Sequence, residues 1–297
     1  MRNTTVAIAV ALALFSTSIQ ADTYELSNAS NASNEEYEPT EDYDVLNIGG
    51  FTVMVSQKAQ YERPEEMDKA LWILRSQIYS AAETIDTVFQ LVGKPQDWYP
   101  LLDVVIWIDD SEAGIEDPPC GAACFFGSAS YLERNNSNPD KEFAVGFTDI
   151  DWLLTSTWCC NNALIHELAH AWHFHVIPNG FDNRDIERSY ERAKDSGKYD
   201  TVLSSAGRTV EAYSMRNDEE FFAEMTAAFY QRAGSWPFVY GELRYTDIDT
   251  FNTIADGWLY PRNIRSSRPS ARYDEMDAKA TLERSYDELL AQFIREH

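Results

Sequence analysis

The chain has 297 residues and a formal net charge of −25 at pH 7. Hydrophobic residues make up 44% of it and aromatic residues 13%, which is enough for a sizeable core in one large domain or two small ones. A surface this acidic repels nucleic acid and anionic membranes, so neither is expected as a partner.

The first 21 residues have the pattern of a secretory signal peptide. Arg2 gives a basic start, Val6 to Phe15 is unbroken and apolar, and small polar residues lead to Ala21. The apolar run is too short to span a bilayer. We therefore expect cleavage near Ala21 and a secreted or periplasmic protein without stable membrane insertion. Residues 22–44 are acidic and poor in core-forming side chains, so a disordered tail is expected there.

An even number of cysteines fits an exported protein, because disulfides persist outside the reducing cytosol. A bond between the adjacent Cys159 and Cys160 requires a strained ring. We therefore expect Cys120 and Cys124 to cross-link to that pair. The alternative is a four-thiolate zinc site, for which the cysteine spacing suits a tetrahedral cage poorly.

Hydrophobic patterns predict the elements of the first half of the domain. Residues 45–56 are expected to form a strand interrupted at Gly49-Gly50, and residues 67–92 a long helix ended by Gly93. Residues 101–108 are expected to form a strand buried on both faces, because the run is almost continuously apolar. Residues 111–127 are a loop rich in Pro, Gly and Cys, and residues 143–147 are a short third strand, expected at the edge of the sheet.

The second half of the chain is predicted to contain helices only. They cover residues 162–175, 185–196 and 218–232, and an amphipathic helix covers 273–294. Strands that precede helices in this way indicate an α+β fold. We expect one domain over residues 45–262, followed by a linker and the C-terminal helix over residues 263–297.

Four of the five histidines fall within residues 166–175. His166 and His170 are four positions apart, which places both imidazoles on one face of a helix, with Glu167 beside them. This is the H-E-x-x-H arrangement of zinc peptidases, in which the histidines bind the metal and the glutamate handles a proton. The alternative is a pair of core histidines that bond to side chains or water. The almost wholly apolar helix favours the metal, because it satisfies both rings at once.

A catalytic zinc takes three protein ligands, so a third must come from elsewhere. His173 stands where metzincins need Gly and Val176 where they need His, which excludes that class. His173 lies too far along the helix axis from His166 to share one ion with it. His173 and His175 are therefore expected to support a ligand, to face a substrate or simply to pack.

The segment after Asn217 supplies the better third ligand. Glu220 and Glu224 lie four apart on one face of a predicted core-facing helix. One can bind the metal while the other holds a ligand histidine in orientation. Two alternatives remain: Glu219 as the ligand, or Glu220 in a capping box headed by Asn217 with Glu224 a surface charge.

Several motifs together resemble a known family. They are H-E-L-A-H-A-W-H from residue 166, S-G-K-Y at 196–199, A-Y-S-M-R-N at 212–217 and E-F-F-A-E at 220–224. They are similar to the catalytic domain of anthrax lethal factor, a gluzincin-type zincin, and more closely to its secreted bacterial relatives. The resemblance covers residues 45–260 and is dense over 162–238. It implies a zincin-like α+β domain with a small sheet, an H-E-x-x-H helix and a helical C-terminal half.

The resemblance also implies roles for individual residues. His166, His170 and Glu220 would hold one Zn²⁺ per chain, and Glu167 would be the general base. Tyr213 would assist at the substrate carbonyl, and Glu224 would hold a ligand histidine in place. The expected function is a secreted zinc endopeptidase that acts on peptides or proteins. The alternative is an inactive zinc-containing module that binds a peptide in the same cleft. The cysteines, His173, His175 and the C-terminal helix depart from the family's pattern.

Overall fold

The main sheet is mixed and is built from short strands. The structure, a computed structural model, describes residues 37–110, 122–155 and 163–261. Within those ranges the strands lie in the order β1-β2-β3-β5-β4. β2, β3 and β5 run parallel, and β1 and β4 pair antiparallel at the two edges. The strands are β1 (Tyr43–Ile48), β2 (Phe51–Ser56), β3 (Ile106–Ile108), β4 (Ala123–Phe125) and β5 (Val145–Phe147).

Helices alternate with these strands along the chain, and they make up most of its second half. A two-stranded hairpin, β6 (Val202–Leu203) with β7 (Thr209–Val210), separates the sixth helix from the seventh. The α+β class is confirmed. No helix in the described ranges has the length and apolar character needed to cross a bilayer. The helices are α1 (Gln57–Glu62), α2 (Pro64–Leu91), α3 (Ala129–Arg134), α4 (Ile150–Thr155), α5 (Ala163–His175), α6 (Arg184–Asp195), α7 (Asp218–Tyr230), α8 (Tyr240–Thr246) and α9 (Ile248–Leu259).

The first predicted strand is a hairpin. Gly49 and Gly50 have φ angles of 59° and 93°, and they reverse the chain so that Ile48 pairs with Phe51. Residues with a Cβ rarely adopt positive φ, so a Gly-Gly pair is what makes a two-residue turn inexpensive here. The break predicted at these glycines is therefore a tight turn between two antiparallel strands.

The fold begins earlier than the predicted boundary at residue 45. Tyr43 starts β1 and is 5% exposed. Glu38 is also buried and accepts a hydrogen bond of 2.6 Å from the Ser56 hydroxyl. Residues 37–44 therefore belong to the folded domain, and the prediction of a disordered tail up to residue 44 is wrong for them. The polar composition of this segment gave no sign that Glu38 and Tyr43 would be buried.

The long helix predicted over residues 67–92 is confirmed as α2. Pro64 occupies its first turn, where a missing N–H costs nothing. Gly93, with φ of 75°, follows its end. The predicted apolar stripe faces the core, and Leu74 and Phe89 are fully buried.

The prediction of a strand over residues 101–108 is wrong for most of that range. Residues Tyr99–Asp103 form a 3₁₀ helix, and only Ile106–Ile108 form β3. Pro100 lies in the first turn of that 3₁₀ helix, where its fixed φ is favourable. Leu101 is nevertheless buried, although it lies in a 3₁₀ helix and not in a strand. An apolar run therefore indicates burial here without distinguishing the two structures.

The third strand forms but is not an edge. β5 lies between β3 and β4, so the edge position predicted for residues 143–147 is wrong. The edge strand on this side of the sheet is β4, which comes from the segment predicted as a loop. The ring of Phe126, just after β4, covers Gly146 so closely that a Cβ at Gly146 would lie 2.4 Å from a ring carbon. The lack of a side chain at Gly146 thus allows the turn after β4 to pack on β5.

The helices predicted over residues 185–196 and 218–232 are confirmed as α6 and α7, whereas α8 and α9 were not predicted. α9 packs against both α5 and α7. Its Trp258 stacks on Trp172 of α5 with ring centroids 4.7 Å apart. The Trp258 indole donates to the Thr226 hydroxyl of α7 at 2.9 Å, and the Trp172 indole donates to the Gly257 carbonyl at 2.9 Å. These bonds hold α5 and α7 together.

Several predictions lie outside the described residues. They concern the signal peptide at 1–21, the tail up to residue 36, the linker at 263–270, the helix at 273–294, and Cys120, Cys159 and Cys160. Cys124 is described and lies buried in β4. The disulfides stay a prediction.

A buried ion pair anchors the carboxyl end of β3. The Lys141 ammonium lies 2.7 Å from Asp109 Oδ2, and the two side chains are 1% and 0% exposed. The Tyr43 hydroxyl donates to the other oxygen of Asp109. The ammonium also lies 5.7 Å from the centroid of the Trp107 ring. Lys141 and Asp109 therefore compensate each other's charge in a buried position.

Removing the cation should therefore be costly. Lys141→Met should lower the free energy of unfolding by about 3–5 kcal/mol, because Asp109 would stay buried without its partner. Lys69 is the matched control, since it is 62% exposed and lies 3.9 Å from Glu65. Lys69→Met should change the stability by less than about 1 kcal/mol. Urea unfolding of both variants measures the difference, and equal losses would contradict the role given to Lys141.

Candidate metal centre

The helix α5 carries its polar side chains through the core. Every residue from Ala163 to His173 is buried. At its start, the Leu164 N–H donates to the Gln77 side chain of α2 at 3.3 Å, which satisfies one of the free donors of the first turn. The apolar neighbours predicted around the polar stripe are in the core. His166, Glu167 and His170 are therefore held on a rigid and largely dehydrated element.

Three ligand atoms converge between α5 and α7. His166 Nε2 lies 3.0 Å from Glu220 Oε2 and 3.2 Å from His170 Nε2. His170 Nε2 lies 3.5 Å from the same carboxylate oxygen. Within the described residues, His166, His170 and Glu220 form a group that could hold a metal ion. Glu219 is half-buried and does not belong to this group.

Glu220 serves the helix and the site at the same time. The Asn217 side chain caps α7 by accepting the Glu220 backbone N–H at 2.7 Å. The Glu220 side chain meanwhile extends to the two imidazoles. The capping alternative and the ligand alternative are therefore compatible, because they use different atoms of one residue. The cap fixes the first turn of α7, from which the carboxylate reaches the histidines.

Glu224 is not a surface charge. It is 8% exposed, and its Oε1 lies 3.0 Å from His166 Nδ1. In the neutral ring, a proton on Nδ1 donated to this carboxylate leaves the lone pair of Nε2 on the side of Glu220 and His170. Glu224 therefore fixes both the ring orientation and the tautomer of His166, as expected for a carboxylate behind a metal-binding histidine.

Glu167 lies beside the group without joining it. It is 8% exposed, and burial raises the pKa of its carboxyl group. The Phe125 backbone N–H in β4 donates to the Glu167 carboxylate and opposes that shift. This bond ties the edge strand to the helix that carries the histidines. Glu167 thus has a fixed position next to the convergent ligand atoms.

Tyr213 reaches the site from the 3₁₀ helix Tyr213–Met215 that precedes α7. Its hydroxyl donates to Glu220 Oε1 at 3.0 Å, and its ring centroid lies 6.2 Å from that of His166. Arg216 donates to the Tyr213 hydroxyl at 3.1 Å. Sequence reasoning missed Arg216, although its position three residues after Tyr213 within one short turn is a signal that it could contact that side chain.

The charges around the three ligand atoms favour a cation. Burial alone would lower the pKa of His166, but hydrogen bonds with Glu220 and Glu224 raise it well above its usual value. Burial alone would raise the pKa of Glu220, but the contacts with His166 and His170 hold it well below its usual value. Two imidazole nitrogens and a carboxylate oxygen that face one another, backed by a further carboxylate, suit a divalent ion. The residues present therefore fit a metal ion.

The other two histidines lie outside the group. His173 is fully buried between the rings of Phe181 and Phe222, whose centroids are 5.1 Å and 4.9 Å away. Burial, and then the charge of His170, lowers its pKa to about 3. His175 is exposed and lies against Phe143. Of the three expectations for these residues, packing describes His173.

Metal titration should give one tightly bound divalent ion per chain. Glu220→Ala leaves two imidazoles and should abolish tight binding. Glu224→Ala should weaken binding about 10–100-fold, because His166 loses the group that orients it. Glu219→Ala is the matched control and should bind as the wild type does. Calorimetric titration with Zn²⁺ tests the set, and a larger loss in Glu219→Ala than in Glu220→Ala would show that the ligand assignment is wrong.

Comparisons of the chain with protein-family models, with curated proteins and with solved structures give no match. The resemblance to the lethal factor catalytic domain therefore depends on the motifs alone. The arrangement of His166, His170, Glu220 and the residues around them is the remaining basis for the function.

Proposed function

We propose that the protein is an exported zinc-dependent endopeptidase with a zincin-like catalytic domain. The observation that carries this proposal is the convergence of His166, His170 and Glu220, with Glu167 fixed beside them. A metal group that served stability alone would not require a neighbouring carboxylate outside the ligand set. The motifs shared with the lethal factor catalytic domain support the same function.

Zinc is the metal that this ligand set favours. Two imidazoles and one carboxylate are the protein ligands of many catalytic zinc sites, which keep a further position for water or substrate. Sites for Mg²⁺ or Ca²⁺ are built mainly from oxygen ligands, and structural zinc sites are usually closed by four protein ligands. Among the described residues the group has three protein ligands, two of them imidazoles, and this set supports a catalytic zinc. When bound, zinc supplies Lewis-acid chemistry that makes water a nucleophile near neutral pH and polarises a carbonyl.

Glu167 is the general base of the proposed reaction. It takes a proton from the attacking water and passes that proton to the leaving amine when the peptide bond breaks. It follows the proposed ligand His166 directly in α5, and the Phe125 N–H donates to its carboxylate.

Tyr213 stabilises the oxyanion of the proposed tetrahedral intermediate. Its hydroxyl already lies next to the ligand carboxylate, 3.0 Å from Glu220 Oε1. Burial and the Glu220 carboxylate raise the pKa of Tyr213, and the Arg216 guanidinium, which donates to the same hydroxyl, opposes that rise. A donor of this kind acts where negative charge develops on the substrate. Export of the enzyme rests on the signal-peptide pattern at residues 1–21, and its substrates are proposed to be extracellular or periplasmic peptides or proteins.

Glu167→Gln should separate metal binding from hydrolysis. Glutamine keeps an acceptor oxygen for the Phe125 N–H but cannot take a proton from water. The variant should bind one Zn²⁺ with the affinity of the wild type and should not digest a casein-type substrate. Hydrolysis by this variant at the rate of the wild type would show that the mechanism is wrong. A zinc-loaded wild type that binds peptides without cleaving them would favour the binding-module alternative.

Tyr213→Phe should lower kcat by about 10²–10³-fold, by analogy with the loss of one oxyanion donor. Its effect on KM should be small, because the hydroxyl acts on charge that develops only in the transition state. Tyr245→Phe is a suitable control, since Tyr245 is 93% exposed on α8. Steady-state kinetics on one peptide measures both variants. A Tyr213→Phe variant with unchanged kcat would remove Tyr213 from the mechanism.

A further inference from the structure

A group of aromatic rings borders the candidate metal centre, and nothing in the proposed mechanism uses it. We call it the aromatic patch. It consists of Phe125, Phe143, Phe174, His175 and Phe181, which come from β4, the turn before β5, the end of α5 and the 3₁₀ helix after α5. None of the five is buried, and Phe143 is 38% exposed.

The rings of the patch are in mutual contact. The ring centroid of Phe174 lies 5.8 Å from that of Phe125, 5.4 Å from that of Phe143 and 5.3 Å from that of Phe181. His175 lies 5.0 Å from Phe143 and 5.9 Å from Phe125, with edge-to-face geometry in both pairs. Rings that hold one another in this way lose little further freedom when a ligand binds. The patch is therefore a preorganised apolar surface.

The patch is continuous with the metal centre at two points. The Phe181 ring centroid lies 6.3 Å from that of the ligand His170. The backbone N–H of Phe125 donates to Glu167, the proposed base. A molecule whose reacting bond lies at His170 and Glu167 therefore has the patch as an immediate neighbour. Isolated exposed aromatic side chains need no explanation, but a connected set next to a polar centre marks a binding surface.

Phe143 is held in a conformation that bulky residues avoid. Its φ is 62°, and its N–H donates to the Phe126 carbonyl at 2.6 Å. A large side chain at positive φ is strained, and such strain persists where the surroundings enforce it, commonly at ligand sites. Here the strain keeps an apolar ring partly in water beside His175. Stability alone would favour a smaller or more polar residue at this position.

We propose that the aromatic patch is the subsite that receives a large apolar, preferably aromatic, side chain of the peptide substrate. The occupant is a peptide side chain because the patch adjoins His170 and Glu167, so its ligand must be attached to the group that reacts there. This inference rests on the proposed peptidase function and deepens it. Aromatic rings bind one another edge to face or offset, and the five rings offer both kinds of surface.

The test separates binding from cleavage. The probe is a set of 12-residue peptides of Gly, Ser and Ala, in which one Phe is moved through the central positions, together with the all-Ala parent. Binding is measured by calorimetry on zinc-loaded Glu167→Gln protein, which is expected not to hydrolyse them. Cleavage is measured separately with the zinc-loaded wild type by mass spectrometry.

Peptides with Phe at one particular position should bind about 10–200-fold more tightly than the parent, the range of a side chain fitted to an apolar pocket. Phe181→Ala and Phe143→Asn, each added to Glu167→Gln, should reduce that preference to within a few-fold. Asn tolerates positive φ, so Phe143→Asn removes the ring without straining the backbone. Tyr245→Ala removes an exposed ring of α8 and should keep the preference.

Each outcome bears on one proposal. Equal binding of the Phe peptides and the parent, or a preference that survives Phe143→Asn, overturns the aromatic subsite. Loss of the preference in Tyr245→Ala overturns it too, since the effect would not be specific to the patch. Selective binding without cleavage by the wild type supports the patch and contradicts the peptidase. Cleavage without selectivity for Phe supports the peptidase and contradicts the patch.

Discussion

The packing of α5 on α7 is the constraint on which the candidate site depends. Each helix carries carboxylates or imidazoles into a dry interface, where an isolated charge would be costly. The two polar stripes therefore have to face each other, and they do so with Glu220 3.0 Å and Glu224 3.0 Å from the two nitrogens of His166. Around them, fully buried rings such as Phe221, Phe222 and Trp172 fix the helices laterally. The site is therefore a strip of polar side chains within an otherwise apolar contact between two helices, and we call this strip the polar seam.

Local spacing explains why much of this seam could be predicted from the sequence. The pair His166 and His170 follows from helical periodicity, and so does the pair Glu220 and Glu224. The apolar neighbours of both pairs indicated that the helices would be buried, and the structure buries them. Sequence reasoning left Glu219 open as the ligand, because periodicity alone does not fix how the helix is rotated about its axis, and a rotation of about 100° exchanges neighbouring residues. The contact between α5 and α7 brings Glu220, and not Glu219, to the histidines. It joins residues that are 54 positions apart in the chain.

The surroundings of the seam were predicted poorly, for a different physical reason. β4 has three residues, too few to show alternation, and it forms because Gly146 of the neighbouring strand leaves room for the Phe126 ring. The edge strand was consequently assigned to the wrong segment. Phe125 and Phe143 reach the site only through that pairing, and Phe181 does so through a short 3₁₀ helix. Periodicity identifies the two helices of the candidate site, whereas Phe125, Phe143 and Phe181 come from short segments positioned by tertiary contacts.

Glu220 shows how one residue can link the rigid and the exposed parts of the site. Its Oε2 faces His166 and His170, and its Oε1 accepts the hydroxyl of Tyr213, which is 44% exposed. The carboxylate thus divides its two oxygens between the metal position and the proposed oxyanion donor. A bound metal would draw electron density from the Glu220 carboxylate and would make it a weaker acceptor for the Tyr213 hydroxyl. That hydroxyl would then be held less firmly by Glu220 and be freer to turn to a substrate oxygen. The seven-residue separation of Tyr213 and Glu220, spanned by a 3₁₀ turn and the Asn217 cap, is what allows both contacts at once.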